Sequence, residues 1–396
     1  MRILMVAPEP WFTPRGTPFS ILHRIYAMTK LGHKVDLVTY HLGENVNIQD
    51  LTIYRIPKIP FINKIKIGPS KTKIIVDIFL ILLTIRLLKY QQYDLIHSHE
   101  EASFFCTILA KCFHIPHLYD MHSCLPQQLS NFKFTKAKFI IKAFEWLEDS
   151  TLSKAQGIIT ICPELQKYVQ EKFPFQSSLL IENVGDNSLI FKDDDDRFLE
   201  LKQKYNLNGE NIILYYGTFE PYQGIDLLIE SGLQVIKRFQ NVRFVLIGGY
   251  PHQIEYYLNE VKKQQVDKFF IFAGMVRPHE IPGFVKNAKI LVSPRKKGNN
   301  SPLKIYSYLR SGKPIIATRH VTHTQILNDE VAVLTECNPK DFAEGICKVL
   351  EDDQLQTQLA ANARKLAEEQ YGYNDYLKKI GAILKMTSDN YQRGML

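Results

Sequence analysis

Paired cysteines are missing from this chain of 396 residues. Its six cysteines, Cys106, Cys112, Cys124, Cys162, Cys337 and Cys347, form no CxxC pair and sit among apolar or helix-patterned neighbours. That speaks against a disulfide framework and a zinc site, and makes the reducing cytoplasm the expected location. Long apolar runs are missing too. The longest, Ile74 to Leu88, is interrupted by Asp77 and Arg86 and falls short of the roughly 20 residues a membrane span needs. It reads either as a core helix of an α/β domain or as an amphipathic helix facing a membrane. The run Ile3 to Ala7 is too short for a signal-peptide core and ends in Pro8 and Pro10. With 20 Gly and 19 Pro the chain is neither collagenous nor of low complexity. It has no GxGxxG fingerprint and no short-period repeat.

What is present suits a folded protein. Hydrophobic residues make up 45% and charged residues 23%, enough apolar content to exclude wholesale disorder. The length suggests two or three domains at roughly 150 residues each. The net charge of +8 favours anionic partners such as phosphates, nucleotides or acidic lipid headgroups.

Short apolar runs alternate with amphipathic segments. The spacing predicts strands in RILMVAP, HKVDLVTYH, DLIHSH, IPHLYDMH, GIITIC and SLLIEN, with helices at about 18–31 and 102–113. After a break at DNSLIFKDDDDRFLELKQKYNLNGEN the series restarts with NIILYYG, VRFVLIGG, FFIFAG, ILVSP and PIIAT, and the tail from Pro339 is helical. Strands that are apolar throughout are buried on both faces, which means parallel sheets flanked by helices. The predicted fold class is therefore α/β, with two doubly wound domains over 1–190 and 191–375. Ligands in such sheets bind beyond the carboxyl ends of the strands, so chemistry is sought there.

After the first strand come Arg15, Gly16 and Thr17, just before a helix. Backbone N–H groups there can meet an anion, though an ordinary βα turn fits equally well. After the next central strands come His97, His99, Glu100 and Glu101, then Asp120 and His122. Histidines so placed can hydrogen-bond a sugar or move a proton, or serve the core, and no third metal ligand at suitable spacing is evident. His122 stands out because DMHSCLP leads into an irregular segment.

In the second half Gly224 precedes a helix. The most informative stretch is RKKGNNSPLKIYSYLRSGKP, which follows ILVSP. Arg295, Lys296 and Lys297 meet Gly298, Asn299 and Asn300, and Ser301 and Pro302 open a helix with Lys304 one turn in. Cations and a helix N-terminus converging on one point make an anion site. The run Asp193 to Asp196 reads as helix-start carboxylates before RFLELKQKY, with metal binding the lesser reading.

The ordered set RILMVAP, RGTPFS, KLGHKVDLVT, YDLIHSH, YDMHS, KAQGIITIC, IENVGD, ILYYGTFEPYQGIDLLIES, VRFVLIGG, FFIFAGMV, AKILVSP and GKPIIAT resembles retaining glycosyltransferases of family 4. The resemblance implies the GT-B fold, two Rossmann-like domains facing an interdomain cleft, with a last helix within 376–396 crossing back to the first. It implies transfer of a sugar from a nucleotide diphosphate sugar to an acceptor hydroxyl with retention. Neither metal nor cofactor is implied beyond that donor, whose diphosphate is neutralised by basic side chains and helix N-termini. His122 falls at the family's cleft histidine and, with Lys304, is assigned to catalysis. Donor contacts are assigned to Gly16, Thr218, Gln223, Gly249, Met275, Val276, Arg295, Lys297, Asn299, Asn300, Ser301, Pro302, Leu303 and Ser307. Acceptor contacts are assigned to Arg15, Thr17, His99 and Glu101.

Four positions depart from the family. Its Arg and Lys in the loop after the first strand of the second domain are Thr218 and Gln223 here, and its two glutamates eight apart are Asn299 and Ser307. Loss of both signs together suggests a redrawn site in which Arg295, Lys297 and Lys304 take over the diphosphate. It also motivates an alternative, a catalytically inactive binding protein or partner subunit; a sugar-nucleotide epimerase is another. Nucleic acid is not an expected partner, because the basic residues lack an aromatic-interleaved motif. Residues 1–192 hold 22 Lys+Arg against 16 Asp+Glu. The segments FINKIKIGPSKTK and NFKFTKAKFIIKAF mix Lys with apolar residues, as in ordinary solvated helices or in a face for an anionic membrane. A lipid-linked acceptor and peripheral association with the inner face of the membrane follow from the second reading.

Overall fold

A computed structural model describes residues 1–395 apart from 14–15, 66–69, 127–136, 186–189 and 191–193. Residues 1–183 with 374–396 form one compact unit, and 184–373 form the other.

The first unit holds a seven-stranded sheet in the order β3-β2-β1-β4-β5-β6-β7. Its strands are β1 (Arg2–Val6), β2 (Lys34–Thr39), β3 (Leu51–Arg55), β4 (Leu95–His99), β5 (His117–Met121), β6 (Gly157–Thr160) and β7 (Ser178–Leu180). Every pairing is parallel. The central strands are buried on both faces, so the polar residues of LIHSH and HLYDM are carried into the interior with their apolar neighbours. The helix predicted at 102–113 spans Ala102–Phe113, and the long apolar run forms the helix Lys71–Tyr90, capped by Ser70. Val76, Leu80, Leu87 and Leu88 of that helix join the core.

The second unit holds a six-stranded parallel sheet, β10-β9-β8-β11-β12-β13. Its strands are β8 (Asn211–Tyr216), β9 (Val242–Ile247), β10 (Phe270–Gly274), β11 (Ile290–Ser293), β12 (Ile315–Thr318) and β13 (Val333–Thr335). Two edge strands, β3 and β13, carry no readable sequence signal. LTIYR is only half-buried, and VLT is three residues long. Asp195 and Asp196 stand at the start of the helix Asp196–Lys204, and Asp194 Oδ1 accepts a hydrogen bond from the Asp196 N–H at 2.8 Å, which is helix-start chemistry. Asp193 lies outside the described residues.

Strand order reverses between β1 and β4 in one sheet and between β8 and β11 in the other. Loops leaving the two strands of such a reversal go opposite ways and leave an opening for ligand.

One buried ion pair organises the first unit. Arg24, on the helix Gly16–Lys30, donates Nε to Asp120 Oδ2 at 2.8 Å, Nη1 to the Tyr376 hydroxyl at 2.8 Å and Nη2 to the Ile181 carbonyl at 2.8 Å. Tyr376 belongs to the helix Tyr373–Met395, so a single guanidinium ties together two helices, β5 and the end of β7. Removing one partner of a fully buried pair strands the other charge. Arg24→Met is therefore expected to destabilise the protein by about 3–5 kcal/mol. Adding Asp120→Asn should recover much of the loss, as read from the denaturant midpoints of the two variants.

Candidate functional site

In the second unit the strand ends at the reversal are linked through backbone. Gly217 N–H donates to the Ile247 carbonyl at 3.0 Å, and Gly248 N–H to the Gly274 carbonyl at 2.7 Å. Gly224 is left-handed, φ 76°, and a Cβ there would sit 2.0 Å from the Pro294 carbonyl oxygen. Only glycine lets the loop after β8 close onto the end of β11.

On this frame the basic residues part company. Lys296 is ion-paired with Asp226. Lys297 is exposed, and its carbonyl accepts a hydrogen bond from Arg295 Nε at 2.8 Å. Arg295 is buried, bonds Asn300 Oδ1 through Nη2 at 3.1 Å and lies over the Tyr222 ring. Lys304 is buried as well. Its Nζ stands 3.8 Å above the Tyr215 ring and has no hydrogen-bond acceptor among the described residues. The Ser301 hydroxyl is likewise buried without a partner. Burial, and then the nearby Arg295 charge, hold the Lys304 ammonium well below its usual pKa. The Tyr215 hydroxyl donates to the Thr218 carbonyl at 2.7 Å, and Gln223 Nε2 reaches Thr218 Oγ1 at 3.5 Å. Thr218, Gln223, Arg295, Asn300, Ser301 and Lys304 thus all stand at the ends of β8 and β11 or at the helix that follows.

Other residues fall differently. The helix starts at Leu303, later than the start at Ser301 and Pro302 expected, and Pro302 is its extended N-cap, ψ 131°. Asn299 is exposed, and its carbonyl accepts from Gln325 Nε2 at 2.7 Å. Ser307 is hydrogen-bonded with Tyr216, one turn beyond Lys304. Gly249 follows β9 and presses on Phe219, Met275 is exposed, and Val276 packs on the core. The anchor residues Tyr215, Tyr222 and His323 gave no motif in the sequence. His323 Nδ1–H donates to the Thr318 carbonyl at 2.8 Å, which leaves Nε2 to accept from Ser293 Oγ at 2.9 Å.

In the first unit His99 and His122 follow one another across β4 and β5, with Nδ1 of His99 2.9 Å from Nε2 of His122. One proton serves that contact, so the two rings hold complementary tautomers. Asp120 lies 3.5 Å from His97 and 3.6 Å from His122. Burial opposes ionisation of Asp120, but Arg24 and the histidines hold it well below the usual carboxylate range. Burial keeps His122 neutral, its pKa lowered to about 4 despite Asp120. The third ligand that spacing did not reveal is Asp120: its oxygen and a nitrogen each of His97 and His99 lie within 4.8 Å of one another. A metal ion there would share that carboxylate with the Arg24 guanidinium, so the donor set suits a neutral hydrogen-bonding surface better than a cation. Glu101 is ion-paired with Lys73. Gly16 opens the helix Gly16–Lys30, where a Cβ would meet none of the described neighbours within 4 Å; Thr17 is half-buried beside it, and Arg15 lies outside the described residues.

Glu100, left-handed at φ 47° directly after β4, stands beside Glu101 among the residues noted in the sequence, which assigns it no role. Burial, reinforced by Glu101, pushes its carboxyl up to about 8. The signal was a charged residue after an apolar strand, which does not distinguish Glu100 from Glu101.

Two family models divide the chain between them. One described as Glycosyltransferase Family 4 matches residues 15–182, and one described as Glycosyl transferases group 1 matches 197–366. An uncharacterized glycosyltransferase of Methanocaldococcus jannaschii is 25% identical over 411 aligned positions, covering 98% of this chain and 99% of that one. A putative glycosyltransferase of Bacillus subtilis is 25% identical over 204 residues, covering 48% of this chain and 49% of that one. Among solved structures, sucrose-phosphate synthase from Thermosynechococcus elongatus superposes with a TM-score of 0.77 at 18% identity, over 97% of this chain and 98% of that one. Anabaena HepE in complex with UDP gives 0.73 at 15%, over 97% and 100%. Two parallel, helix-flanked sheets of this kind are the GT-B fold, and the two family models make the chain a glycosyltransferase. Within that class, the chain belongs to glycosyltransferase family 4.

Two outcomes follow from the buried groups. A lysine whose folded pKa is depressed costs stability at neutral pH, where the unfolded chain holds its proton freely. Lys304→Met is thus expected to raise the melting temperature of the ligand-free protein, by about 2–4 °C per kcal/mol recovered, while removing nucleotide binding. Thermal shift measured with and without nucleoside diphosphate reads both. Glu100 has the opposite sign: raised in the fold, it contributes stability fully present below pH 4.5 that is lost as pH rises through about 8. Glu100→Gln should therefore stabilise the protein more at pH 8 than at pH 4.5; an equal shift at both would show that Glu100 is not held protonated.

Proposed function

We propose that the chain transfers a sugar from a nucleotide diphosphate sugar to an acceptor hydroxyl, with retention and without a metal. The observation that carries this is the Lys304 ammonium, buried near Arg295 at the start of the helix Leu303–Arg310 with no hydrogen-bond partner among the described residues; the buried Ser301 hydroxyl, just before that helix, has none either. Groups left so are ready for an anion with several acceptor oxygens, and a diphosphate has them. Charge grows on that diphosphate as its bond to the sugar breaks, so preorganised cations lower the barrier more than they tighten the ground state.

The four neutral substitutions fit this reading. Thr218 and Gln223 replace cations of the family's loop, and Lys304 with Arg295 supplies the charge in their place. Gly249, Met275 and Val276 are assigned to the nucleotide, and Asn299, Asn300, Pro302, Leu303 and Ser307 to the donor's phosphate and sugar. His122, kept neutral, is assigned to the transferred sugar; a neutral imidazole can hydrogen-bond a hydroxyl without adding a charge beside an oxocarbenium-like centre. His99, Glu101, Arg15 and Thr17 are assigned to the acceptor, which belongs to a glycolipid, a polysaccharide or another glycoconjugate. UDP sits in the Anabaena HepE structure, so UDP-sugars are the first donors to test.

Lys304→Ala is expected to lower turnover at saturating donor by about 10²–10³-fold, the loss typical of one oxyanion donor. Near wild-type turnover would remove Lys304 from the mechanism. Nuclear magnetic resonance of the product should show the donor's anomeric configuration, and an inverted product would overturn retention. Mass spectrometry separates transfer from epimerisation. Nucleotide binding with neither transfer nor donor hydrolysis would instead favour the inactive binding protein that the neutral substitutions also suggest.

A further inference from the structure

A helix that covers a sheet normally turns a polar side to water. The helix Lys71–Tyr90 does not. Besides the residues it buries, it presents Ile74, Ile78 and Leu82, which are 61%, 53% and 58% exposed, with Ile75 beside them. Their spacing of four places them along one stripe. The pattern continues over its neighbours. The helix Ala102–Phe113 packs beside it, and the helix Lys138–Lys154 packs beside that one. The first of these exposes Ile108, and the second exposes Phe139 and Trp146, seven residues apart and so on one face. Three adjacent helices in one layer thus share an apolar outer surface. Scattered exposed apolar residues need no explanation, but a contiguous row of large ones does.

The exposed charges on these helices are predominantly positive. Arg86 and Lys89 are exposed at the far end of the first helix, Lys111 on the second and Lys142 between Phe139 and Trp146. The acids of these helices are mostly engaged elsewhere. Asp77 accepts a hydrogen bond from Tyr40, Glu148 is buried, and Asp149 pairs with Lys172. Glu145 alone is an exposed acid among the described residues of the three helices.

We propose that this face of the first unit docks on the surface of an anionic lipid bilayer. Its isoleucines, Leu82, Phe139 and Trp146 enter the headgroup boundary, and Arg86, Lys89, Lys111 and Lys142 meet lipid phosphates. An aromatic with a polar tip, long aliphatics and flanking cations are the components of an interfacial surface. No described helix is long and apolar enough to cross a membrane, so the association is peripheral to the bilayer. The face takes in Phe139 and Lys142 from one of the two Lys-rich segments that first suggested membrane contact, and parts of both segments lie outside the described residues. The proposal does not depend on the catalytic reading, since lipid binding and sugar transfer are measured separately.

The test is co-sedimentation of the full chain with vesicles of phosphatidylglycerol and phosphatidylcholine in equal parts, against phosphatidylcholine alone, at about 0.1 M salt. The wild type is expected to bind the anionic vesicles, more weakly as salt rises. The triple variant Ile74→Asn, Ile78→Asn, Leu82→Asn should lose at least about tenfold in partitioning, with an unchanged melting temperature and unchanged nucleotide binding. Arg86→Gln with Lys89→Gln should remove much of the preference for anionic vesicles. Absence of wild-type binding overturns the proposal, and so does a triple variant that binds as the wild type does. A wild-type dimer in sedimentation velocity that the triple variant dissolves, without vesicle binding, would assign the face to a second copy of this chain instead.

Discussion

An ammonium group enclosed by protein and given no acceptor is the constraint on which the second unit turns. Lys304 could have been paired with a carboxylate, as Lys296 is with Asp226. Instead its neighbours are an aromatic ring and a second cation. Such an arrangement costs free energy in the empty protein and returns it when an anion arrives. Much of the surrounding structure exists to hold it: the helix starts where Lys304 is, Tyr215 is pinned by the Thr218 carbonyl, and Gly224 lets the loop after β8 lie against the end of β11.

The first unit solves the same topological problem with the opposite chemistry. Its reversal point also gathers polar groups at strand ends, but there the charges cancel. Arg24 and Asp120 neutralise one another, three histidines are left uncharged by burial, and Glu100 is held protonated. One sheet therefore ends in an unbalanced cationic cradle, the other in a neutral surface rich in hydrogen-bonding nitrogens. The proposed transfer, from a diphosphate-bearing donor to an acceptor hydroxyl, would use that difference. The outer layer of the first unit adds a third chemistry, an apolar and cationic face on three helices built on the same βα units.

Most of the fold was legible in the chain. Strands that are apolar on both faces announce parallel sheets, and the pattern restarting after residue 210 announces two of them. The edge strands β3 and β13 were not legible, because an edge needs neither length nor a full apolar complement. The site was legible in part. Glycine, asparagine and cations before a helix marked 295–304 as an anion site, since few other roles require that mixture. Which cation would be buried could not be read: Arg295, Lys296, Lys297 and Lys304 are all plausible in one dimension.

The sequence by itself determined the class of fold and the family, and it marked the stretch to which anion binding is proposed, because periodicity and local helix-start chemistry depend on neighbours along the chain. Tertiary structure alone decided that Arg24 meets Asp120 across 96 positions, that Lys304 rests on Tyr215 while Lys296 is paired with Asp226 and Lys297 is exposed, and that Ile74, Ile78 and Leu82 face outward when Val76 and Leu80 do not. Burial and partner choice are properties of the assembled surface. A side chain's charge state and exposure follow from atoms that the order of residues leaves far apart.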